Sequence, residues 1–306
     1  MTSIPEHQMG GDQSLLPITA LRSLVTPDQG HTRIALDHAA ATGALLVGLA
    51  NGDQPITLHA GDGHVLVAGA TGAGKSSVLC SLAAQALAHG ARVDVLTLRR
   101  EHRWTNGLAQ ARRFDDVEAI HDYLNEARDL VLTDTPAHTP HQCGGAGTWA
   151  GRRLLVIDEA DHTLAALEQF WQHTHPSLSS QESPAIEALA ALLFLGRAHG
   201  IHILLSTQSG RLQGLRGSLR DQFGLCVVGY APPIVWQRLA PHIHPAPRSS
   251  TTRGRVHAVR PGQPAQAVQA LYVTDVQARA LARGQATENL SRLPATAART
   301  TAKDAS

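Results

Sequence analysis

The sequence predicts an α/β fold whose mostly parallel sheet is covered by helices on both faces. Three observations predict it. Short, almost continuous apolar runs such as "HVLVAG", "LLVID" and "IHILLST" recur along the chain, and strands buried on both faces read this way. Helical patterns separate these runs, as a layered α/β domain requires. A glycine-rich turn, "GATGAGKS", joins one of the strands directly to a helix, an arrangement that aims backbone N–H groups and a helix dipole at bound phosphate.

The elements follow in order. Residues 1–33 mix Pro, Gly, Gln and Thr without periodicity and are expected to form a mobile arm. "ALLVGLA" and "QPITLHA" read as a hairpin turning at Asn51-Gly52. "GHVLVAG" is a buried strand feeding the glycine-rich loop. In "KSSVLCSLAAQALAHG", Val78, Leu79, Leu82, Ala86 and Leu87 share a helical face, and Gly90 caps the end. "RVDVLTL" is a strand, "DVEAIHDYLNEARDLVL" a helix, and "TDTPAHTPHQCGGAGTWAG" a loop. "RLLVIDEA" is the next strand, followed by the helix "TLAALEQFW" and the longer helix "AIEALAALLFLGRAHG". "IHILLSTQ" returns to the sheet. "LRGSLRDQ" reads as a short helix, "FGLCVVGY" as a strand and "IVWQRLA" as a helix. "RVHAVR" and "QAVQALYV" are late strands, and "TDVQARALARG" is the last helix. The folded domain is expected over 34–284, with a polar, disordered tail over 285–306.

Composition limits the function. With 43% apolar and 17% charged residues, the 306-residue chain has the makeup of an ordinary soluble domain. Its formal net charge of +1 excludes a broad nucleic-acid-coating surface, so any such contact must be a local patch. Cys80, Cys143 and Cys226 are far apart and form no CxxC pair, which excludes a disulfide scaffold and a cysteine zinc site. The histidine pairs 173/175 and 242/244 lack a third ligand. No apolar run reaches the ~18 residues of a membrane span, and the N-terminus has no signal-peptide pattern, so a cytoplasmic location is expected.

Gly69, Ala70, Thr71, Gly72, Ala73, Gly74, Lys75, Ser76 and Ser77 form the phosphate-binding loop. Lys75, read as a solvent-facing ligand, would contact the β- and γ-phosphates of ATP, and Ser76 would ligate Mg²⁺. Asp158 and Glu159 end a buried strand at its carboxyl end, where α/β sheets hold ligands. Asp158 would hold Mg²⁺ through water, and Glu159 would polarise the attacking water. The alternative for the pair is capping of the following helix. Kinases of this loop class often lack the second carboxylate, so Asp158-Glu159 favours hydrolysis.

Gln208, at the carboxyl end of its strand, can sense the γ-phosphate. Arg197, at a helix end, either reaches a neighbouring subunit's phosphate or solvates the helix terminus. Together these features predict a RecA-like P-loop NTPase.

The sequence also resembles the motor domain of the FtsK/SpoIIIE DNA translocases. The resemblance is carried by "VGLANGDQPITLHAGDGHVLVAGATGAGKSSVL", "LLVIDEA", "LGRAHGIHILLSTQ" and "GRVHAVRPGQPAQAVQALYVTDVQARALA", over residues 44–283. It implies an ATP-driven motor that forms a ring, usually a hexamer, around double-stranded DNA. Lys75, Ser76, Asp158, Glu159 and Gln208 match its motif positions, while Arg197, Arg216 and Arg220 are candidates for its arginine finger. Two places depart from the pattern. "LTLRREHRW" stands where an Asp-Pro-Lys-like segment is common, and Ser209-Gly210 replaces the usual Arg-Pro. With no membrane anchor and no DNA-reading module in the sequence, a separate partner is expected to supply those roles.

Arg99, Arg100, His102, Arg103, Arg112 and Arg113 are the densest basic cluster. They either contact phosphates in a pore or form a solvated face. The competing reading for the whole chain is an assembly or secretion-type ATPase that organises protein partners without moving DNA.

Overall fold

The computed structural model describes residues 21–133, 148–178, 181–210, 212 and 217–285. Ten strands form one sheet in the order β2-β1-β10-β9-β8-β3-β7-β6-β4-β5. The strands are β1 (Leu45–Leu49), β2 (Pro55–Leu58), β3 (His64–Ala68), β4 (Arg92–Leu96), β5 (Ala111–Phe114), β6 (Arg153–Ile157), β7 (Ile201–Thr207), β8 (Phe223–Val228), β9 (Arg255–Val259) and β10 (Gln266–Ala270). The run from β8 to β5 is parallel throughout. From β8 outward through β9, β10, β1 and β2 each pairing is antiparallel.

The helices are α1 (Gly30–Ala41), α2 (Lys75–Ala88), α3 (Val117–Thr133), α4 (Ala160–Thr174), α5 (Pro184–Leu195), α6 (Pro233–Leu239) and α7 (Asp275–Ala282). They divide between the faces. One apolar cluster joins α1, α2 and α7 to the sheet, and a second joins α3, α4, α5 and α6 to the other face. The parallel strands are buried on both sides for this reason; β3, β7 and β6 alternate their residues between the two clusters.

Most expected elements are present, including the β1–β2 hairpin with Gly52 at φ 65° and Gly90 in the left-handed region after α2. Two elements are additional. β5 falls on Ala111–Phe114, where two arginines mask an edge strand. α1 begins at Gly30, inside the expected arm, and buries Thr32, Ala35, Leu36 and Ala39 along one side. Ahead of it, Val25 is fully buried and bridges Leu271. The stretch "LRGSLRDQ" ends in a 3₁₀ turn over Gly217–Gln222. The rest of the arm and almost all of the expected tail lie outside the described residues, as do Cys143 and Arg216.

Two contacts fix how the antiparallel wing docks. The Gln85 side chain on α2 pairs with Leu46 of β1 as another strand would. Its Nε2 donates to the Leu46 carbonyl at 3.0 Å, and its Oε1 accepts from the Leu46 amide at 2.7 Å. At the amino end of β8, Gly224 packs so tightly on the loop before β3 that a Cβ would sit 1.4 Å from the Asp62 carbonyl oxygen. No helix among the described residues is long and apolar enough to cross a membrane.

Candidate functional site

The phosphate loop leaves β3 at the centre of the sheet. Its shape depends on glycines at Gly69, Gly72 and Gly74, with φ of 157°, 82° and 92°. A Cβ at Gly69 would also meet the Ala73 methyl at 2.9 Å. The neighbouring parallel strands pin the start of the loop: Gly69 N–H donates to the Thr207 carbonyl at 3.2 Å and Ala70 N–H to the Tyr230 carbonyl at 2.7 Å. α2 then begins at Lys75, so its positive end faces the loop. Ala70, Thr71, Ala73, Ser76 and Ser77 complete the cradle.

Lys75 corrects one expectation. It is 8% exposed, and its Nζ donates back to the carbonyls of Gly69 at 2.9 Å and Ala70 at 3.2 Å. Burial lowers its pKa, opposed by the charges of Asp158, Glu159 and Asp161. The ammonium is thus held over the loop instead of extending into solvent.

Register places the carboxylates. β6 lies between β4 and β7, with Ile157 opposite Leu96 and Leu205. Asp158 is therefore buried at the mouth of the sheet, 2% exposed. Its Oδ1 accepts from the Ser206 hydroxyl at 2.6 Å and its Oδ2 from His102 Nε2 at 2.9 Å. Burial pushes the Asp158 pKa upward, but His102, Ser206 and Ser76 outweigh that and bring it down to about 2. Ser76 and Asp158 are thus brought together as hard oxygen donors, a set that suits Mg²⁺. With both Asp158 oxygens already hydrogen-bonded, the carboxylate would hold the ion through water. Among the described residues no group of three or more His, Cys, Asp or Glu could hold a metal.

Glu159 follows in the left-handed region at φ 55°, an unusual conformation for a non-glycine residue, and starts α4. Its amide donates to the Ser206 hydroxyl at 2.8 Å and to Asp158 Oδ1 at 3.1 Å. Its carboxylate does not cap its own helix; Oε2 pairs with Arg99 Nε at 2.5 Å. Across the mouth, Gln208 Oε1 accepts from the Thr71 hydroxyl of the phosphate loop at 3.4 Å.

Arg197 lies at the other end of the molecule. It precedes the first residue of β7, contacts the Gly61 carbonyl at 3.4 Å and acts on the buried His64 and His202. β7 separates it from Gln208 by its whole length, roughly 20 Å at ~3.3 Å per residue. It is out of reach of this chain's own phosphate loop. Arg220 likewise precedes the amino end of its strand, β8.

The basic cluster does not form a single surface. Arg99 pairs with Glu159, Arg112 with the buried Asp94, and Arg113 with Asp115. His102, read in the sequence as either a phosphate contact or part of a solvated face, is buried and holds Asp158 instead. Trp104 Nε1–H donates to His102 Nδ1 at 3.4 Å, which leaves Nε2 to carry the proton that Asp158 accepts. Arg100 and Arg103 remain exposed.

Asp161, in the first turn of α4, is a functional residue the sequence reading missed. It gathers the end of β7: Oδ2 accepts from the Thr207 hydroxyl at 2.8 Å and the Gln208 amide at 2.7 Å, and Oδ1 from the Ser209 hydroxyl at 3.0 Å. The signal was a third carboxylate two positions after Glu159.

Fold and site together define a RecA-like P-loop domain, with phosphate loop, paired carboxylates and polar strand end on adjacent parallel strands. No family model and no curated protein matches the chain. Solved structures do. The cytoplasmic domain of the type VII secretion ATPase EccC from Thermomonospora curvata superposes with a TM-score of 0.60 at 17% identity, covering 83% of this chain and 28% of that one. The cytoplasmic domain of EssC gives 0.61 at 17% identity, over 83% of this chain and 48% of that one. The pCW3 conjugation coupling protein TcpA, solved with ATPγS, gives 0.57 at 19% identity, over 77% of this chain and 68% of that one. The chain therefore spans less than half the length of EccC or EssC. The likeness to these three structures is one of fold.

Proposed function

We propose that the chain is an ATP hydrolase that drives double-stranded DNA through a ring of its own copies. The observation that carries the hydrolysis is the placement of Glu159 beside Asp158 at the mouth of the sheet, opposite a Gln208 that touches the phosphate loop. A water there attacks the γ-phosphorus, its proton passes to the Glu159 carboxylate, and the bond from the γ-phosphorus to the β–γ bridging oxygen breaks. Lys75 and the loop amides neutralise the charge that develops on the phosphates.

The ring is supported by Arg197, which can serve a phosphate only in a neighbouring copy. DNA is supported by the likeness in fold to a conjugation coupling protein and by Arg100 and Arg103, exposed on the loop that also reaches Glu159. A net charge of +1 makes a single copy a weak binder, while a ring repeats the same small patch. Likeness to EccC, named as a secretion ATPase, favours a second reading in which ATP organises protein partners.

The test is ATP hydrolysis with and without random-sequence duplex, over a range of protein and salt concentrations. Stimulation should rise with protein concentration and fall steeply with salt, because each neutralised phosphate releases counterions. A rate that duplex leaves flat, in conditions where the chain is oligomeric, favours the second reading.

A further inference from the structure

One loop holds both catalytic carboxylates. It leaves β4 at Thr97 and ends in the 3₁₀ turn Arg103–Thr105. Its two grips differ in kind. His102 meets Asp158 where both side chains are 2% exposed, and the loop is fixed around it: Trp104 is buried, and the Thr105 hydroxyl donates to the His102 carbonyl at 2.8 Å. Arg99 meets Glu159 at the surface, with the arginine 53% and the glutamate 18% exposed.

Magnitude separates the two. A buried bond to a carboxylate is costly to break because the acceptor is left unsatisfied. An exposed ion pair is worth at most about fivefold in an equilibrium constant. His102 is therefore a fixed post and Arg99 a movable arm. Arg99 also has an alternative partner of the right chemistry. A guanidinium binds phosphate in the same forked geometry as carboxylate, and Arg100 and Arg103 on the same loop are exposed beside it.

We propose that Arg99 is a latch on Glu159, and that backbone phosphates of bound duplex release it. The proposal rests on the translocase reading for the identity of the phosphates, but not for the latch itself. With Arg99 on Oε2, one of the lone pairs that could accept the proton of the attacking water is taken and the carboxylate is held toward the loop. When Arg99 moves to a phosphate, Glu159 becomes available while His102 keeps Asp158 in place. The loop thus links occupancy of the DNA surface to the hydrolytic base.

The experiment compares the full chain with Arg99→Ala and Arg99→Gln. Steady-state hydrolysis is measured at saturating Mg·ATP with and without random duplex, together with affinity for a fluorescent ATP analogue. The latch predicts basal kcat raised up to about fivefold, analogue affinity unchanged, and fold-stimulation by duplex reduced by the same factor. Unchanged basal kcat in both variants overturns it. So does lower kcat with weaker analogue binding, which would make Arg99 a nucleotide ligand. Raised basal kcat with stimulation intact overturns the release by phosphate. A wild-type chain indifferent to duplex removes the translocase reading, and the basal rates then still decide whether Arg99 restrains Glu159.

Discussion

Asp161 accepts the Gln208 amide at 2.7 Å, tying the first turn of α4 to the end of β7. The helix that begins after Glu159 and the strand that ends at Gln208 are therefore tied together at the mouth of the sheet. Asp161→Ala should leave Gln208 mispositioned, because the bonds from the Gln208 amide and the Thr207 hydroxyl to this carboxylate are lost. Kcat should fall by roughly 10- to 100-fold, since misplacement of about 1 Å is enough for the larger loss, while nucleotide affinity stays within a few-fold. A parallel loss of affinity would mean that Asp161 shapes the loop itself.

Lys75→Ala should abolish turnover while the chain remains folded. Lys75 is bonded to the loop carbonyls of Gly69 and Ala70; two such bonds from a charged donor contribute about 1.5–3 kcal/mol each, offset in part by the cost of burying the ammonium. Thermal melting and steady-state hydrolysis measured on the same preparation check this. Persisting hydrolysis in a folded variant would remove the site assignment.

Glu159→Gln keeps the backbone bonds to Ser206 and Asp158, so nucleotide should still bind. Loss of a positioned base should slow hydrolysis at least about a hundredfold. Nucleotide-binding and single-turnover measurements separate these steps. Retained hydrolysis would mean that another group activates the water.

Stability should depend on acid pH through three buried histidines. Burial is the main cause that lowers His64 and His257 to about 4 and His202 to about 3. His64 is fixed in a neutral tautomer, accepting from the Ile203 amide on Nδ1 and donating to the Leu193 carbonyl from Nε2. Arg152 donates to His202 Nε2 at 3.0 Å, so a proton there would face a cation. An unfolded histidine titrates near 6.5, so below that pH the unfolded chain takes up protons that the fold excludes. The stabilisation is complete above about pH 6.5 and is lost toward pH 4 and then 3, by up to about 1.4 kcal/mol per histidine per pH unit. Urea unfolding at pH 7.5, 6.5, 5.5 and 4.5 reads this directly. Equal stability at pH 7.5 and 4.5 would contradict it.

Asp94 predicts a stability effect far from the phosphates. In the middle of β4 it accepts from Arg112 at 2.8 and 3.0 Å and from the buried Tyr123 hydroxyl at 2.7 Å. In Asp94→Ala the half-exposed Arg112 can turn to water, but the tyrosine hydroxyl cannot. The cost should be that of one buried unsatisfied donor, roughly 1–3 kcal/mol, and Tyr123→Phe in the same background should recover part of it. Denaturant midpoints that match wild type would show that the hydroxyl finds water.

What was legible in the sequence follows from how local each signal is. The phosphate loop, the Asp158-Glu159 pair and Gln208 each sit in a short string attached to a strand, so their positions follow once the strands are recognised. α1 was also legible in principle, since residues 32, 35, 36 and 39 repeat at helical spacing. The partners of the carboxylates were not. Arg99 and His102 reach Glu159 and Asp158 only because β4 pairs with β6, and nothing local states that neighbour relation. A histidine between arginines reads as part of a charged face until tertiary structure buries it. β5 failed for a related reason: an edge strand carrying Arg112 and Arg113 lacks the apolar run that marked the others.

The way the phosphate loop is anchored has a consequence for biosynthesis. Its first two amides hang on the carbonyls of Thr207 and Tyr230, and its Thr71 meets Gln208 across a separation of 137 residues. β3, which delivers the loop, pairs with β7 and β8 and with neither of its neighbours in sequence. A nascent chain that has emerged only as far as β6 therefore carries the entire loop sequence without the frame that shapes it. Nucleotide competence arrives late in translation, after β8, and a ribosome-bound fragment ending before Tyr230 should not retain ATP.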